Sequence, residues 1–302
     1  MKFPPYLSSG DKVAIVSPAG NVKRAVIERG AELLGQQGYQ VEIGSHAFDE
    51  DGVFAGPDSA RAADMQKALD DPCVRAIFFA RGGYGSLRTH LRLDWTAFHQ
   101  QPKWLAGFSD ITVFHAYLSR RRIASVHGVM PSRFETGEGP TESFRKLIAM
   151  LSRRSSGQDL PPHPMNRCGS ATGVLTGGNL SILQSLRGTA LDIRPKGKIL
   201  FIEDVHELHY HLDRMMRNLQ SGGILEQISG LVVGHFTGIR DGGTPYGLTA
   251  YEIIRESVAP YSYPVMFGFP AGHDMPNHPL LMGGRMTLEV SSEGARMSYR
   301  NR

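Results

Sequence analysis

Short apolar runs alternate with segments of helical periodicity through the first half of the chain, and this alternation restricts the fold more than any other feature. The runs are 12–17, 39–43, 74–80, 104–107 and 123–129. Between them, as in 22–34 and 59–69, apolar residues recur at helical spacing. Strands that alternate with helices form right-handed βαβ units, whose strands lie parallel in one sheet. The sequence therefore predicts an α/β fold with an open parallel sheet in an N-terminal domain, residues 1–152.

The composition changes after this domain. Segment 153–169 is rich in Ser, Arg, Pro and Gly and lacks apolar periodicity, which predicts an interdomain linker. Residues 170–302 are less regular and richer in glycine. Their strand-like runs are 198–202, 231–236, 264–268 and 286–290, and helices fit 180–186 and 210–220. This pattern predicts a mixed α/β C-terminal domain with a substantial sheet.

Composition excludes several classes of protein. The 302 residues are 41% hydrophobic and 21% charged, which is typical of a soluble globular chain. The net charge is only +4, and no Lys/Arg run is interleaved with aromatic residues, so nucleic acid is a poor candidate partner. Cys73 and Cys168 form neither a disulfide framework nor a C-x-x-C zinc motif. Because no stretch is typical of a signal peptide or a membrane span, we expect a cytoplasmic protein without a membrane partner.

The segment 104–115 predicts a sharp turn from a strand into a helix at Ser109. The apolar strand stops at Gly107, and the helix continues from Ile111. A serine in such a turn lies close to the first helical amides, where the helix dipole favours developing negative charge. That is the geometry of a nucleophile elbow. However, Ile111 replaces the second glycine of G-x-S-x-G, so an ordinary helix start capped by Ser109 or Asp110 is the alternative.

A glycine-rich loop, Arg81-Gly-Gly-Tyr-Gly85, follows the third strand. Glycine lets the backbone approach a ligand closely and point its N–H groups at an anion. Phosphate binding is one interpretation, although the loop matches neither G-x-x-x-x-G-K nor G-x-G-x-x-G. The other interpretation is an oxyanion-hole donor from a neighbouring strand end, which fits better if Ser109 is a nucleophile.

Two places in the C-terminal half offer partners for a serine. Glu203 follows a buried strand, where active sites gather, although an ion pair or a helix N-terminal acid would also explain it. His273 lies in a loop restrained by Pro and Gly, and histidine is the usual general base. His278 competes with it for this role. The run 206–211 does not match the zinc motif H-E-x-x-H, because Tyr210 stands where the second histidine is required.

Five segments, in the same order, resemble the motifs of the LD-carboxypeptidases of the S66 serine peptidase family. They are Arg-Gly-Gly-Tyr-Gly (81–85), Gly-Phe-Ser-Asp-Ile-Thr (107–112), Thr-Gly-Gly-Asn-Leu (176–180), Phe-Ile-Glu-Asp-Val (201–205) and Phe-Pro-Ala-Gly-His (269–273). The resemblance extends from about Gly10 to about Val290, which is nearly the full chain. The family includes the murein tetrapeptide carboxypeptidases and the microcin C self-immunity peptidases.

The resemblance implies a flavodoxin-like N-terminal domain that carries the nucleophile, Ser109. It implies a C-terminal domain that carries the triad acid, Glu203, and the base, His273, with the site in the cleft between the domains. It also implies a homodimer without metal or cofactor. The oxyanion donors would be the N–H of Asp110 and one N–H from the pair Gly82 and Gly83.

Arg81 begins the glycine loop, and two roles are open for it. An exopeptidase must recognise the terminal carboxylate of its substrate, and a guanidinium at this strand end could bind that group or order the loop amides that do. The alternative is an ion pair with a nearby acid such as Asp110.

These expectations describe a serine carboxypeptidase that removes a terminal D-amino acid from an L-centre in a murein-derived peptide. The sister hypothesis is a microcin-type peptidase that hydrolyses an amide in a peptidyl-nucleotide, and a noncatalytic anion-binding module is a third possibility. The loop that selects between substrates is expected within 207–210 or 240–246. Adenine stacking would favour a tryptophan there, but the only tryptophans are Trp95 and Trp104, which favours murein peptides.

Overall fold

The computed structural model of the chain describes residues 1–137, 139–153 and 157–299. It divides into two compact units. The first comprises Met1–Arg154 with His278–Leu281, and the second comprises Ser155–Asn277 with Met282–Arg302. Residues 154–156 of the predicted linker and 300–302 of the predicted C-terminal domain lie outside the described residues.

The first unit is built on a parallel sheet. Its strands are β1 (Lys12–Val16), β2 (Gln40–Ile43), β3 (Val74–Phe79), β4 (Trp104–Gly107) and β5 (Ser125–His127), and β13 (Leu280–Met282) borders β5. Strands β1 to β5 run parallel in the order β2-β1-β3-β4-β5, which is the strand order of flavodoxin. The predicted parallel-sheet N-terminal domain is therefore confirmed.

Helices connect these strands, and the first two of them correspond to the helical segments 22–34 and 59–69 predicted from apolar periodicity. They are α1 (Arg24–Gln36), α2 (Asp58–Asp70), α3 (Ser86–His90), α4 (Thr96–Gln100), α5 (Thr112–Arg121) and α6 (Glu142–Ser152), and a small hairpin joins β6 (Glu135–Thr136) to β7 (Gly139–Pro140). Consecutive residues of β1 are buried although they point to opposite faces of the sheet, which explains its continuous apolar run. Large aromatic side chains, among them Phe79, Trp104 and Phe114, are fully buried in this unit.

The second unit contains a mixed sheet. Its strands are β8 (Gln158–Leu160), β9 (Gly169–Asn179), β10 (Lys198–Val205), β11 (Gly230–Thr237), β12 (Val265–Met266), β14 (Arg285–Val290) and β15 (Ala295–Tyr299). They lie in the order β12-β11-β10-β9-β14-β15-β8. The pairs from β9 to β12 are parallel, whereas those from β9 through β14 and β15 to β8 are antiparallel. The predicted mixed α/β C-terminal domain is confirmed.

Amphipathic helices cover this sheet. They are α7 (Leu180–Ser185), α8 (His209–Ser221), α9 (Ile224–Gln227) and α10 (Ala250–Val258). The apolar faces of α8 and α10, including Met216 and Ile254, pack in one core with Leu200 and Leu231 of β10 and β11. Within the described residues, none of the helices combines the length and the apolar character needed to cross a bilayer.

Strand β8 lies inside the range predicted as a linker. Its backbone pairs with β15, with Gln158 opposite Met297 and Leu160 opposite Ala295. A strand of three residues with exposed or half-buried side chains leaves no apolar periodicity in the sequence, because backbone pairing alone defines it. At least this part of 153–169 is therefore an edge of the second sheet and not a free connection.

Candidate active site

Ser109 lies in a strained turn between β4 and α5. Its φ is 65°, a left-handed conformation that costs about 1–3 kcal/mol for a residue with a side chain and that is concentrated at functional sites. Ser109 begins a 3₁₀ turn, Ser109–Ile111, and the helix α5 follows directly. The cap positions of these two elements are Phe108 and Ile111, so the alternative of an ordinary N-cap at Ser109 or Asp110 does not describe this turn.

The glycine loop lies against this turn. A Cβ atom placed on Gly82 would be 2.9 Å from Cβ and 3.1 Å from Oγ of Ser109, so the backbone at Gly82 passes immediately beside the hydroxyl. The carbonyl of Gly82 accepts a hydrogen bond from the N–H of Gly20 at 2.9 Å, and Gly83 has a φ of 95°. The structure thus brings together Ser109 and the predicted oxyanion loop, at the carboxyl ends of neighbouring strands β3 and β4.

Asp110 connects the loop to the turn through its side chain. Its Oδ2 accepts a hydrogen bond from the N–H of Ser86, the first residue after the glycine loop, at 2.7 Å. The carboxyl is buried, and burial raises its pKa, although the hydrogen bond from Ser86 opposes the shift. The sequence analysis selected Asp110 for its backbone N–H. The structure shows that its side chain also ties the end of the glycine loop to the turn of Ser109.

Arg81 does not make the expected ion pair with Asp110. Its Nη1 donates to the carbonyl of Asn21 at 2.7 Å, and the side chain is exposed. Within the residues that the structure describes, Arg81 has no carboxylate partner. The guanidinium is therefore held by the segment that follows β1, and its proposed role toward a substrate carboxylate stays a prediction.

If Ser109 is a nucleophile, we expect Gly82→Ala to lower turnover about 100-fold, because the added methyl group would displace the hydroxyl, and a displacement of about 1 Å at a reacting centre has an effect of that size. The thermal unfolding midpoint and the turnover number are the two measurements. Gly35→Ala is the matched control, since a Cβ at Gly35 on α1 meets no atom within 4 Å. Parental turnover in Gly82→Ala would mean that the loop is too far from the reacting atoms to matter.

Glu203 and His273 form a hydrogen-bonded pair in the second unit. Glu203 Oε2 lies 2.7 Å from His273 Nδ1, and the carboxylate is fully buried while the imidazole is 15% exposed. Since an ionised carboxylate only accepts hydrogen bonds, this contact places the proton on Nδ1 and leaves Nε2 with a lone pair. Glu203 lies inside β10, which continues to Val205, and not after the strand as the sequence suggested.

An irregularity in β11 makes room for this pair. The register between β10 and β11 shifts beside Glu203, because Ile202 faces Val233 while Asp204 faces Phe236. Around this bulge, the N–H of His235 donates to the carbonyl of Ala271 at 2.8 Å, which attaches the loop of His273 to β11.

Gly272 then allows the close approach of this loop to Glu203. Its φ is 131°, and a Cβ at this position would lie 2.9 Å from Glu203 Oε2. Sequence reasoning did not identify Gly272 separately. The signal was present, because a glycine directly before a candidate base often marks a backbone that passes close to another group.

The two candidate bases have different surroundings. The ring of His278 belongs to the first unit and lies 3.1 Å from Lys146 Nζ and 3.5 Å from Glu142 Oε1. His273 is the one that contacts the buried glutamate. The geometry therefore favours His273 over His278 as the imidazole of a serine triad.

Asp204 is a polar residue of this region that the sequence did not single out. Its carboxylate accepts hydrogen bonds from Asn179 Nδ2 and from the backbone N–H of Ser181 and Val205, at 2.8–2.9 Å. The pKa of Asp204 is raised to about 7, mainly because the carboxyl is buried and, to a smaller extent, because of the negative charge of Glu203. The side chain fixes the start of α7 to the end of β10, next to Glu203. A carboxylate in an otherwise apolar strand was its sequence signal.

The two candidate substrate loops are joined to each other. The N–H of His209 donates to the backbone carbonyl of Arg240 at 3.0 Å, and the N–H of Arg240 donates to the backbone carbonyl of Glu207 at 3.1 Å. His209 Nδ1 also contacts Asp241 Oδ1 at 2.8 Å, and its ring stacks on Tyr246. The segments 207–210 and 240–246 therefore form one surface, in which aromatic rings are supplied by tyrosine and histidine.

Across the described part of the chain, no group of three or more His, Cys, Asp and Glu side chains is arranged to hold a metal ion. Two histidines of the 206–211 run contact carboxylates instead: His209 Nδ1 lies 2.8 Å from Asp241 Oδ1, and His211 Nδ1 lies 2.5 Å from Glu207 Oε2.

Comparison with known proteins identifies the family. Residues 13–128 match the model of the LD-carboxypeptidase N-terminal domain, and residues 172–288 match that of the LD-carboxypeptidase C-terminal domain. A murein tetrapeptide carboxypeptidase of Pseudomonas aeruginosa is 30% identical over 92% of this chain and 93% of its own length. The crystal structure of a muramoyltetrapeptide carboxypeptidase from Oxalobacter formigenes has a TM-score of 0.87, with 28% identity over 96% of this chain and 99% of that one.

A structure of MccF in complex with glutamyl sulfamoyl guanosine has the same fold, with a TM-score of 0.86 and 20% identity over 98% of both chains. This similarity concerns the fold alone. The two domain models, in the expected order, and the relative at 30% identity confirm the resemblance seen in the motifs. The chain belongs to the LD-carboxypeptidases of the S66 family and is a serine-type carboxypeptidase.

Proposed function

We propose that this enzyme hydrolyses the L,D bond that releases a terminal D-amino acid from murein-derived tetrapeptides, through a triad of Ser109, His273 and Glu203. The observation that carries the proposal is the 2.7 Å contact between the fully buried Glu203 carboxylate and His273 Nδ1, because it leaves Nε2 able to accept a proton. The names of the relatives from Pseudomonas aeruginosa and Oxalobacter formigenes support the substrate class.

In the proposed first step, Ser109 Oγ attacks the carbonyl carbon of the scissile bond, and its proton passes to His273 Nε2. The negative oxygen of the tetrahedral intermediate is stabilised by the N–H of Asp110 and an N–H of Gly82 or Gly83. The C–N bond then breaks, and the imidazolium returns the proton to the leaving amine of the D-amino acid. Water attacks the acyl-enzyme with the same base, which releases the shortened peptide and restores Ser109.

The buried position of Glu203 suits this cycle. The imidazolium that forms in each step lies 2.7 Å from a carboxylate from which water is excluded, so their attraction is stronger than it would be in solvent. Arg81, beside the glycine loop, is proposed to bind the terminal carboxylate of the substrate. We also propose a cytoplasmic homodimer, as the family resemblance suggests, with a murein peptide as its partner and no cofactor.

Incubation with the tetrapeptide L-Ala-D-Glu-meso-diaminopimelate-D-Ala is expected to give the tripeptide and free D-alanine, because the bond next to the terminal carboxylate joins an L-centre to a D-residue. Mass spectrometry of the products is the measurement. The tetrapeptide with a terminal L-alanine should stay intact, since its methyl group and carboxylate cannot both occupy the positions that the D-residue takes.

A second assay separates the alternatives. If a cation recognises the terminal carboxylate, the amidated tetrapeptide should be cleaved more slowly than the free acid. The loss in transition-state binding should be about 1.5–3 kcal/mol. Cleavage of an aminoacyl sulfamoyl adenosine in preference to the tetrapeptide would instead favour the microcin-type activity. Failure to process either compound, together with no reaction of Ser109 with a fluorophosphonate, would contradict both proposed activities.

A further inference from the structure

The turn that carries Ser109 needs support from its surroundings. A backbone with φ of 65° at a residue with a side chain is unfavourable, and it persists only where neighbouring groups determine it. The strand before the turn ends at Gly107, and the helix after it begins at Thr112. A contact that joins these two elements directly would hold the turn closed.

His115 makes that contact. It lies in the first turn of α5, its side chain is buried, and its Nε2 is 2.9 Å from the carbonyl oxygen of Gly107. On the other side of the ring, Nδ1 is 2.8 Å from Ser125 Oγ on β5. The imidazole therefore connects β4, α5 and β5, the three elements around the nucleophile turn.

The partners of His115 determine its protonation. A backbone carbonyl only accepts hydrogen bonds, so Nε2 carries the hydrogen and donates to Gly107, while Nδ1 accepts from the hydroxyl of Ser125. Burial lowers the pKa of His115 to about 4, so the ring is neutral at physiological pH. The Gly107 carbonyl also accepts from the N–H of Gly128 at 3.2 Å, which leaves this oxygen with two donors.

We propose that His115 is a positioning residue for the reaction, which holds the strand-to-helix turn in the conformation that presents Ser109. This inference rests on the proposed role of Ser109 as nucleophile. Loss of the donor at Nε2 removes a direct hydrogen bond that joins β4 to α5 across the turn. The turn can then relax toward ordinary φ values, and the hydroxyl moves away from the oxyanion donors.

Three variants test this role. His115→Phe removes both hydrogen bonds but keeps a ring, and we expect kcat to fall at least about tenfold with KM nearly unchanged, since misplaced reacting groups slow the chemical step. The rate of covalent labelling by a fluorophosphonate, per folded molecule, should fall equally. His115→Gln should recover most of the rate, because its amide nitrogen reaches the position of Nε2 and donates to Gly107.

His90→Phe is the matched control. His90 is also a largely buried neutral histidine of the same unit, with its pKa lowered to about 4 by burial, and it packs against Phe114 and Tyr117 of the same helix. Among the described residues, its Nδ1 has no hydrogen-bond partner, and nothing links it to Gly107. We expect this variant to lose stability without a change in kcat.

Parental kcat in His115→Phe, or a loss that His115→Gln does not repair, would overturn the proposal. If His115→Phe does not fold, Ser125→Ala decides instead, because it removes the donor that orients the ring and should lower kcat several-fold at constant KM; parental kcat there would also overturn the proposal. Failure of the proposed function is distinguishable, since it would appear as full turnover in Ser109→Ala, whatever His115 does.

Discussion

Replacing Ser109 with alanine is expected to lower turnover of the tetrapeptide by on the order of 10⁴-fold or more, because the covalent route through an acyl-enzyme is lost. The residual rate comes from substrate binding and the oxyanion donors. The loss should appear in kcat, and labelling by a fluorophosphonate should disappear completely. A variant with near-parental kcat would remove Ser109 from the mechanism.

The backbone strain at Ser109 can be tested by comparing the stability of two substitutions at this position. At ordinary positions alanine is more favourable than glycine, but Ser109 has a φ of 65°. A left-handed residue with a Cβ costs about 1–2 kcal/mol, whereas glycine loses about 0.5–1 kcal/mol through its greater freedom in the unfolded chain. We therefore expect Ser109→Gly to be at least as stable as Ser109→Ala, although both are inactive. Thermal unfolding of the two variants measures this order.

Much of the segment around Ser109 could be predicted from the sequence, because its information is local. The apolar run 104–107, the glycine and the following helix define a strand, a turn and a helix within twelve residues. Hydrophobic runs alternating with helices likewise predict parallel strands. The sharp turn at Ser109 was predicted, but the contacts of His115 with Gly107 and Ser125 were not, since they form only through tertiary packing.

The surroundings of Glu203 and His273 were harder to predict, because they depend on distant backbone. The shift in register between β10 and β11 and the close passage of Gly272 have no periodic signal. A choice between His273 and His278 was impossible from the local pattern of Pro and Gly. It is tertiary structure that surrounds one ring with Glu203 and the other with Lys146.

The sequence analysis did not predict two short strands at the edges of the sheets, β8 and β13. Strands β8 and β13 have three residues each, and the sequence around them reads as a Pro-rich linker and a loop. Each joins the edge of a sheet built by other segments. Backbone hydrogen bonds to a neighbour do not depend on side-chain type, so composition could not reveal them.

Replacing His273 with alanine is expected to reduce kcat about as much as Ser109→Ala does, by on the order of 10⁴-fold or more, because the serine hydroxyl then has no base. Steady-state kinetics with the tetrapeptide measures this loss.

Combining this substitution with Ser109→Ala tests whether Ser109 and His273 act as one catalytic unit or contribute independently to the rate. If Ser109 and His273 act as one unit, the double variant Ser109→Ala with His273→Ala should be no slower than either single variant, because the second change removes an interaction that is already lost. Multiplicative losses would mean that the imidazole acts elsewhere in the reaction.

His278→Ala is the matched control: its ring contacts Lys146 and Glu142, so we expect near-parental kcat. If His278→Ala were inactive and His273→Ala active, the base would be His278 and our assignment would be wrong. The contact between Glu203 and His273 would then serve stability alone.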